Sequence, residues 1–104
     1  MTTALASDVK IPQDVREFLQ RNQAEQYLPA VIEAAQQAYP GKEIVVYLHH
    51  HGELGDIWQV FVEVRQVRLT ADSVEIEKSF YMQFLKNVPG PKAVLFCLRK
   101  DWAE

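Results

Sequence analysis

Ile57-Trp58-Gln59-Val60-Phe61-Val62-Glu63-Val64-Arg65-Gln66-Val67-Arg68-Leu69 is the stretch that decides the fold. Trp58, Val60, Val62 and Val64 share one parity, and Gln59, Phe61, Glu63 and Arg65 share the other. Successive side chains of a strand point to opposite faces, so this is the pattern of a half-buried antiparallel strand. Beyond Arg65 the apolar positions pass to Val67 and Leu69, which predicts a bulge near Arg65–Gln66. Upstream, Glu43 to His49 alternates in the same way. Ile44, Val46 and Leu48 face one side, and Val45, Tyr47 and His49 face the other. The two runs form a hairpin whose connection carries His49-His50-His51-Gly52-Glu53-Leu54-Gly55-Asp56, with Gly52 and Gly55 supplying turn conformations.

Helical spacing flanks this hairpin. On the N-terminal side Pro12 and Asp14 mark a helix entry, since proline is tolerated in the first turn and an acid suits the positive end of the dipole. Val15, Phe18 and Leu19 form one short stripe, and Tyr27, Leu28, Val31, Ile32, Ala35 and Tyr39 form a second. Pro29 lies between them and predicts a break or kink near 22–28. Pro40-Gly41 ends the segment. On the C-terminal side Asp72-Ser73-Val74-Glu75 has the cap-x-x-Glu form. A helix stripe follows through Ile76, Phe80, Phe84, Tyr81, Leu85 and Val88 until Pro89-Gly90-Pro91 stops it. Ala93 to Leu98 is the last strand, apolar on both parities and therefore expected to be central or covered on both faces.

The element order is α-β-β-α-β. The expected fold class is α+β, two-layer, with a three-stranded, mainly antiparallel sheet and the helices on one face. The third strand has two open positions, parallel beside the second or antiparallel beside the first, and its composition does not choose between them. Residues 1–10 read as a flexible N-terminus and 11–104 as a single domain, in keeping with a chain of 104 residues.

Composition excludes several classes. Hydrophobic content of 48% with 24% charged residues is ordinary globular usage, not that of a disordered chain. A net charge of −3 argues against general nucleic-acid binding. The Gly52–Gly55 pair resembles a GxxG clamp for RNA, but it joins strands where that clamp joins helices. No apolar run reaches the roughly 20 residues of a membrane helix. The first residues lack the basic start and apolar stretch of a signal peptide. Cytoplasmic is the expected location, with no membrane partner. The single cysteine, Cys97, sits in an apolar run with no activating base nearby, so it reads as a small buried hydrophobe.

Phe18-Leu19, then Tyr27-Leu28-Pro29-Ala30-Val31-Ile32-Glu33-Ala34-Ala35 and Tyr39-Pro40, followed in order by Phe80-Tyr81, Phe84, Pro89 and the Val94–Leu98 run, resemble a family of small uncharacterised prokaryotic α+β proteins. The resemblance spans about residues 14–98. It implies the same succession of helix, hairpin, aromatic-rich helix and closing strand. It implies no activity, and the histidine triplet lies outside it.

Three functional readings remain. Imidazole and carboxylate suit zinc, nickel or copper, and His49, His51 and Asp56 are the candidate metal ligands. His49 and His51 would point to one side about 6–7 Å apart if the strand continues. The spacing matches no established zinc pattern, so the expectation is a solvated loop, with no cofactor. A catalytic reading would use His49 or His51 as acid or base, Glu53 or Asp56 to orient it and Arg65 to hold an anion, as in metal-independent phosphodiester cleavage. No nucleophile motif, phosphate loop or HExxH helix accompanies these residues. The third reading rests on the strand face away from the helices. There Val45, Tyr47 and Phe61, with Val67 if it stays on that side, are too apolar for a merely solvated surface. Glu63 and Arg65 on that face are positioned to pair across a two-fold axis. The expected function is therefore a protein-interaction module, self-associating as a homodimer or bound to a protein partner, without catalysis. The N-terminal tail or Trp102 is a candidate partial cover for the same face.

Overall fold

In the computed structural model, which describes residues 9–54 and 57–103, the chain forms a three-stranded sheet carrying its helices on one face. Helix α1 spans Gln13–Arg21, entered from an extended Pro12, with Asp14 in its first turn and Arg21 in its last. These charges oppose the helix dipole at each end. The Asn22 side-chain amide donates to the Phe18 carbonyl at 2.8 Å and closes the helix. A 3-10 turn at Glu25–Tyr27 leads into α2, Leu28–Ala38, where Pro29 occupies the first turn. The expected break thus lies where proline costs least, at a helix start lacking intrahelical N–H partners. Gly41, at φ +77°, reverses the chain into the sheet, a conformation open to glycine without Cβ strain.

Strand β1, Ile44–His51, pairs antiparallel with β2, Ile57–Val67, through a ladder running from Ile44 opposite Val64 to His51 opposite Ile57. Helix α3, Ser73–Asn87, crosses over, and a short helical turn α4, Gly90–Ala93, precedes β3, Phe96–Trp102. β3 runs parallel to β2, giving the order β1-β2-β3. The sheet is therefore mixed, and the position left open by the sequence is settled beside β2.

The core sits between sheet and helices. Val60, Val62 and Val64 of the central strand are fully buried against Val15, Leu19, Val31, Ile32 and Phe80. Each such side chain contributes about 1.5–3 kcal/mol by leaving water. Phe80, Phe84 and Phe96 meet as stacked and edge-on rings at 5.6 and 6.3 Å and fix α3 on the sheet. No buried polar or charged side chain interrupts this core among the described residues. None of their helices is long and apolar enough to cross a membrane.

Five details depart from expectation. The last strand begins at Phe96, because Pro91, inside the first turn of α4, draws Gly90–Ala93 into a helical turn. That strand is an edge, not a centre, and of its residues only Phe96 is buried. Gln66 adopts φ +57° and the β2–β3 register shifts between Val64 and Val67, so the predicted bulge is present. Its effect on Val67 reverses the expected side: the residue is 5% exposed and belongs to the helix-side core. Tyr81 and Leu85, expected in the buried stripe of α3, lie 37% and 58% exposed. Residues 1–8 of the predicted flexible terminus lie outside the described chain, whereas Val9 packs into the core.

Candidate functional site

The histidines belong to β1, not to a loop. The strand persists through His51, and a 3-10 turn, Gly52–Leu54, follows. His49 and His51 therefore point to the open face of the sheet as alternation requires, and their rings meet edge-on at 4.5 Å. His49 stacks on Phe61 at 4.5 Å, and Tyr47 and His51 lean on the same ring at 5.6 and 5.8 Å. His50 points the other way and stacks on Trp58 at 4.2 Å. Phe61 is 7% exposed yet stands apart from the helix-side core. Its cover is the ring of cross-strand neighbours.

One nitrogen of His51 is committed. Gln59 donates its amide N–H to the Val94 carbonyl at 2.8 Å, which turns its Oε1 toward His51 Nε2, also at 2.8 Å. A carbonyl oxygen can only accept, so Nε2 carries the proton. That nitrogen is then neither a metal ligand nor a general base. Glu53 is exposed in the 3-10 turn, and Asp56 lies outside the described residues. Among the described residues no group of three histidine, cysteine or carboxylate side chains is gathered closely enough to hold a metal ion.

The other end of the open face holds charge. Glu63 accepts the Tyr47 hydroxyl at 3.0 Å and lies 3.2 Å from Arg99 and 3.4 Å from Arg65. Arg65 continues to Asp101 at 3.0 Å. Burial, followed by the hydrogen bond to Glu63, pushes the Tyr47 phenol up to about 12. Asp101 beside it raises Arg65 further above its ordinary range. The chain Arg99–Glu63–Arg65–Asp101 neutralises itself within one molecule, so Glu63 and Arg65 already have their partners without a two-fold mate. Cys97 shares this face. Burial raises its thiol, only partly countered by Arg99, which is the opposite of nucleophile activation.

The proposed catalytic grouping is not assembled. His49 stands opposite Gln59, and Arg65 is six residues further along β2, about 20 Å at strand rise. No single phosphate group can touch both. Of the expected interface residues, Val45, Tyr47 and Glu63 are half-buried, Phe61 is buried and only Arg65 is exposed. Trp102 does not cover them, because it pairs with Val67 beyond the bulge and lines clefts beside α3.

The apolar surface that does face water lies on α3. Val74, Tyr81, Met82 and Leu85 are 65%, 37%, 75% and 58% exposed, with Leu69 and Trp102 beside them. Val74, Lys78, Tyr81 and Leu85 follow one another at four, three and four residues, which is a single helix stripe opposite to Ile76, Phe80 and Phe84. A groove runs between this stripe and the end of β3, where Lys100 pairs with Glu77 and lies 5.3 Å over the Trp102 ring. The sequence carried a signal for it: apolar side chains surround more of α3 than one core-facing stripe accounts for. Comparison with known proteins returns no family model, no curated protein and no solved structure that matches this chain.

Proposed function

We propose that this chain is a cytoplasmic, non-catalytic protein-contact module that associates with a second copy of itself through the outer stripe of α3. The supporting observation is the exposure of Val74, Tyr81, Met82 and Leu85 on one helix, an apolar strip crossed by Lys78 and of the kind that marks interfaces. Charge on its flank favours a like partner. Glu75 lies in the first turn of α3 and Lys86 in the last. When two copies of the helix pack antiparallel about a two-fold axis, Glu75 of each meets Lys86 of the other, and Val74 meets Leu85. Helix seams of this type bury each apolar side chain twice over, as knob and as wall.

Light scattering tests the proposal. The wild-type chain is expected at twice its 12.0 kDa mass, and Tyr81→Asp or Leu85→Asp at the monomer mass with unchanged circular dichroism. Glu75→Lys alone should weaken the dimer, and Glu75→Lys with Lys86→Glu should restore it. A wild-type protein that is monomeric at tens of micromolar, on the order of a weak homodimer's dissociation constant, defeats the reading.

A further inference from the structure

A second cleft, of about 230 Å³, opens where the C-terminal end of α2, the end of β2 and the first turn of α3 converge. Tyr39, Val67 and Ile76 form its apolar wall, with Ala38 and Trp102 at the sides. Tyr39 and Val67 are buried, so the wall is fixed by the core and does not depend on mobile surface groups. The bulge at Gln66 is what brings Val67 to this side.

The rim is one-signed. Lys42, Arg68 and Lys100 line the opening, and no aspartate or glutamate does among the described residues. This occurs in a chain where acids outnumber bases, 14 to 11. Lys100 is neutralised by Glu77. Lys42 and Arg68 are exposed and have no carboxylate partner among the described residues. A preformed apolar pocket with a few convergent polar groups is the usual build of a small-molecule site, and this one falls just below the usual size, which fits only a small ligand. The guanidinium fork of Arg68 matches a carboxylate in two parallel hydrogen bonds, and Lys42 adds a second positive charge.

We propose that this cleft binds a small carboxylic acid, its short apolar body against Tyr39, Val67 and Ile76 and its carboxylate between Arg68 and Lys42. The ligand is anionic at neutral pH and needs no metal. The site is separate from the α3 stripe, sharing with its groove only the Ser73, Lys100 and Trp102 border.

Octanoate and its neutral counterpart octanamide, titrated into 15N-labelled protein, provide the test. Octanoate should shift the amides of Ala38, Val67 and Ile76 saturably, with a dissociation constant of about 1 mM or below. Octanamide should bind about tenfold more weakly. Lys42→Gln with Arg68→Gln, both at exposed positions, should abolish that preference and leave the light-scattering mass unchanged. Ala38→Phe should fill the cleft and block both probes; if it fails to fold, the charge pair still decides. Equal binding of the two probes would overturn the proposal. So would shifts centred on Tyr81, Met82 and Leu85, or an octanoate preference that survives the double variant.

Discussion

The open face of the sheet and the outer face of α3 both carry aromatic and aliphatic side chains, and they treat them in opposite ways. On the sheet, Phe61 is covered to 7% exposure by Tyr47, His49 and His51, while Glu63 gathers Tyr47, Arg65 and Arg99. On the helix, Met82 is 75% exposed and Leu85 58%. The cause is geometric. Cross-strand neighbours stand about 5 Å apart on a common plane, so large rings shield one another without any covering layer. Side chains on the convex side of a lone helix diverge, and only a second surface can cover them. An apolar sheet face can thus be finished within one chain, whereas an apolar outer helix face asks for a partner.

Substitutions sharpen this contrast in decreasing order of effect. Phe61→Ala should cost about 3 kcal/mol in urea unfolding, because it empties the centre of the ring cluster, and should leave the dimer mass intact once folded. If it released monomers at full stability, the two faces would have to exchange roles. Glu63→Ala should cost about 1–2 kcal/mol, since it leaves two guanidiniums facing each other and the Tyr47 hydroxyl unpaired. High salt should reduce that difference by screening the repulsion.

A pH titration addresses the same corner. Tyr47 ionises near 12 in the folded chain, against about 10 when unfolded. Below pH 10 the phenol is neutral in both states and its stabilisation is complete. Above pH 10 the unfolded chain loses the proton first, so stability should fall as pH rises toward 12. Tyr39 and Tyr81 are raised as well, mainly by burial, and act in the same direction. In Tyr47→Phe the alkaline decline should be shallower by denaturation midpoint. The smallest effect belongs to the helix: Met82→Ala should change monomer stability by no more than about 0.5 kcal/mol, because an exposed side chain has little burial to lose.

Much of the fold was written in local pattern. The parity of Val60, Val62 and Val64, the break before Pro29 and the parity switch after Arg65 each follow from one rule of backbone geometry. What escaped were features set by neighbours distant in sequence. Nothing local tells Phe96–Trp102 to lie at an edge parallel to β2. The triplet read as a solvated loop because its histidines are polar, but the neighbouring strand brings Trp58, Gln59 and Phe61 beside them, which give two of the rings a stacking surface and one a hydrogen bond. The stripe of α3 was visible as composition, and only the path of the helix over the sheet decided which side of it meets water.

Gln66 has a last consequence, concerning which length changes the chain can absorb. Removing this one residue would restore unbroken alternation in β2 and still leave Val67 facing inward, whereas keeping it in a straight strand would turn Gln66 and Arg68 inward and Val67 outward. Such straightening would alter no core side chain in identity, yet it would put a cation on the helix side of the sheet and erase the wall of the cleft. The end of β2 is therefore a reading frame: it can absorb the loss of its extra residue, but not the loss of the bulge around it.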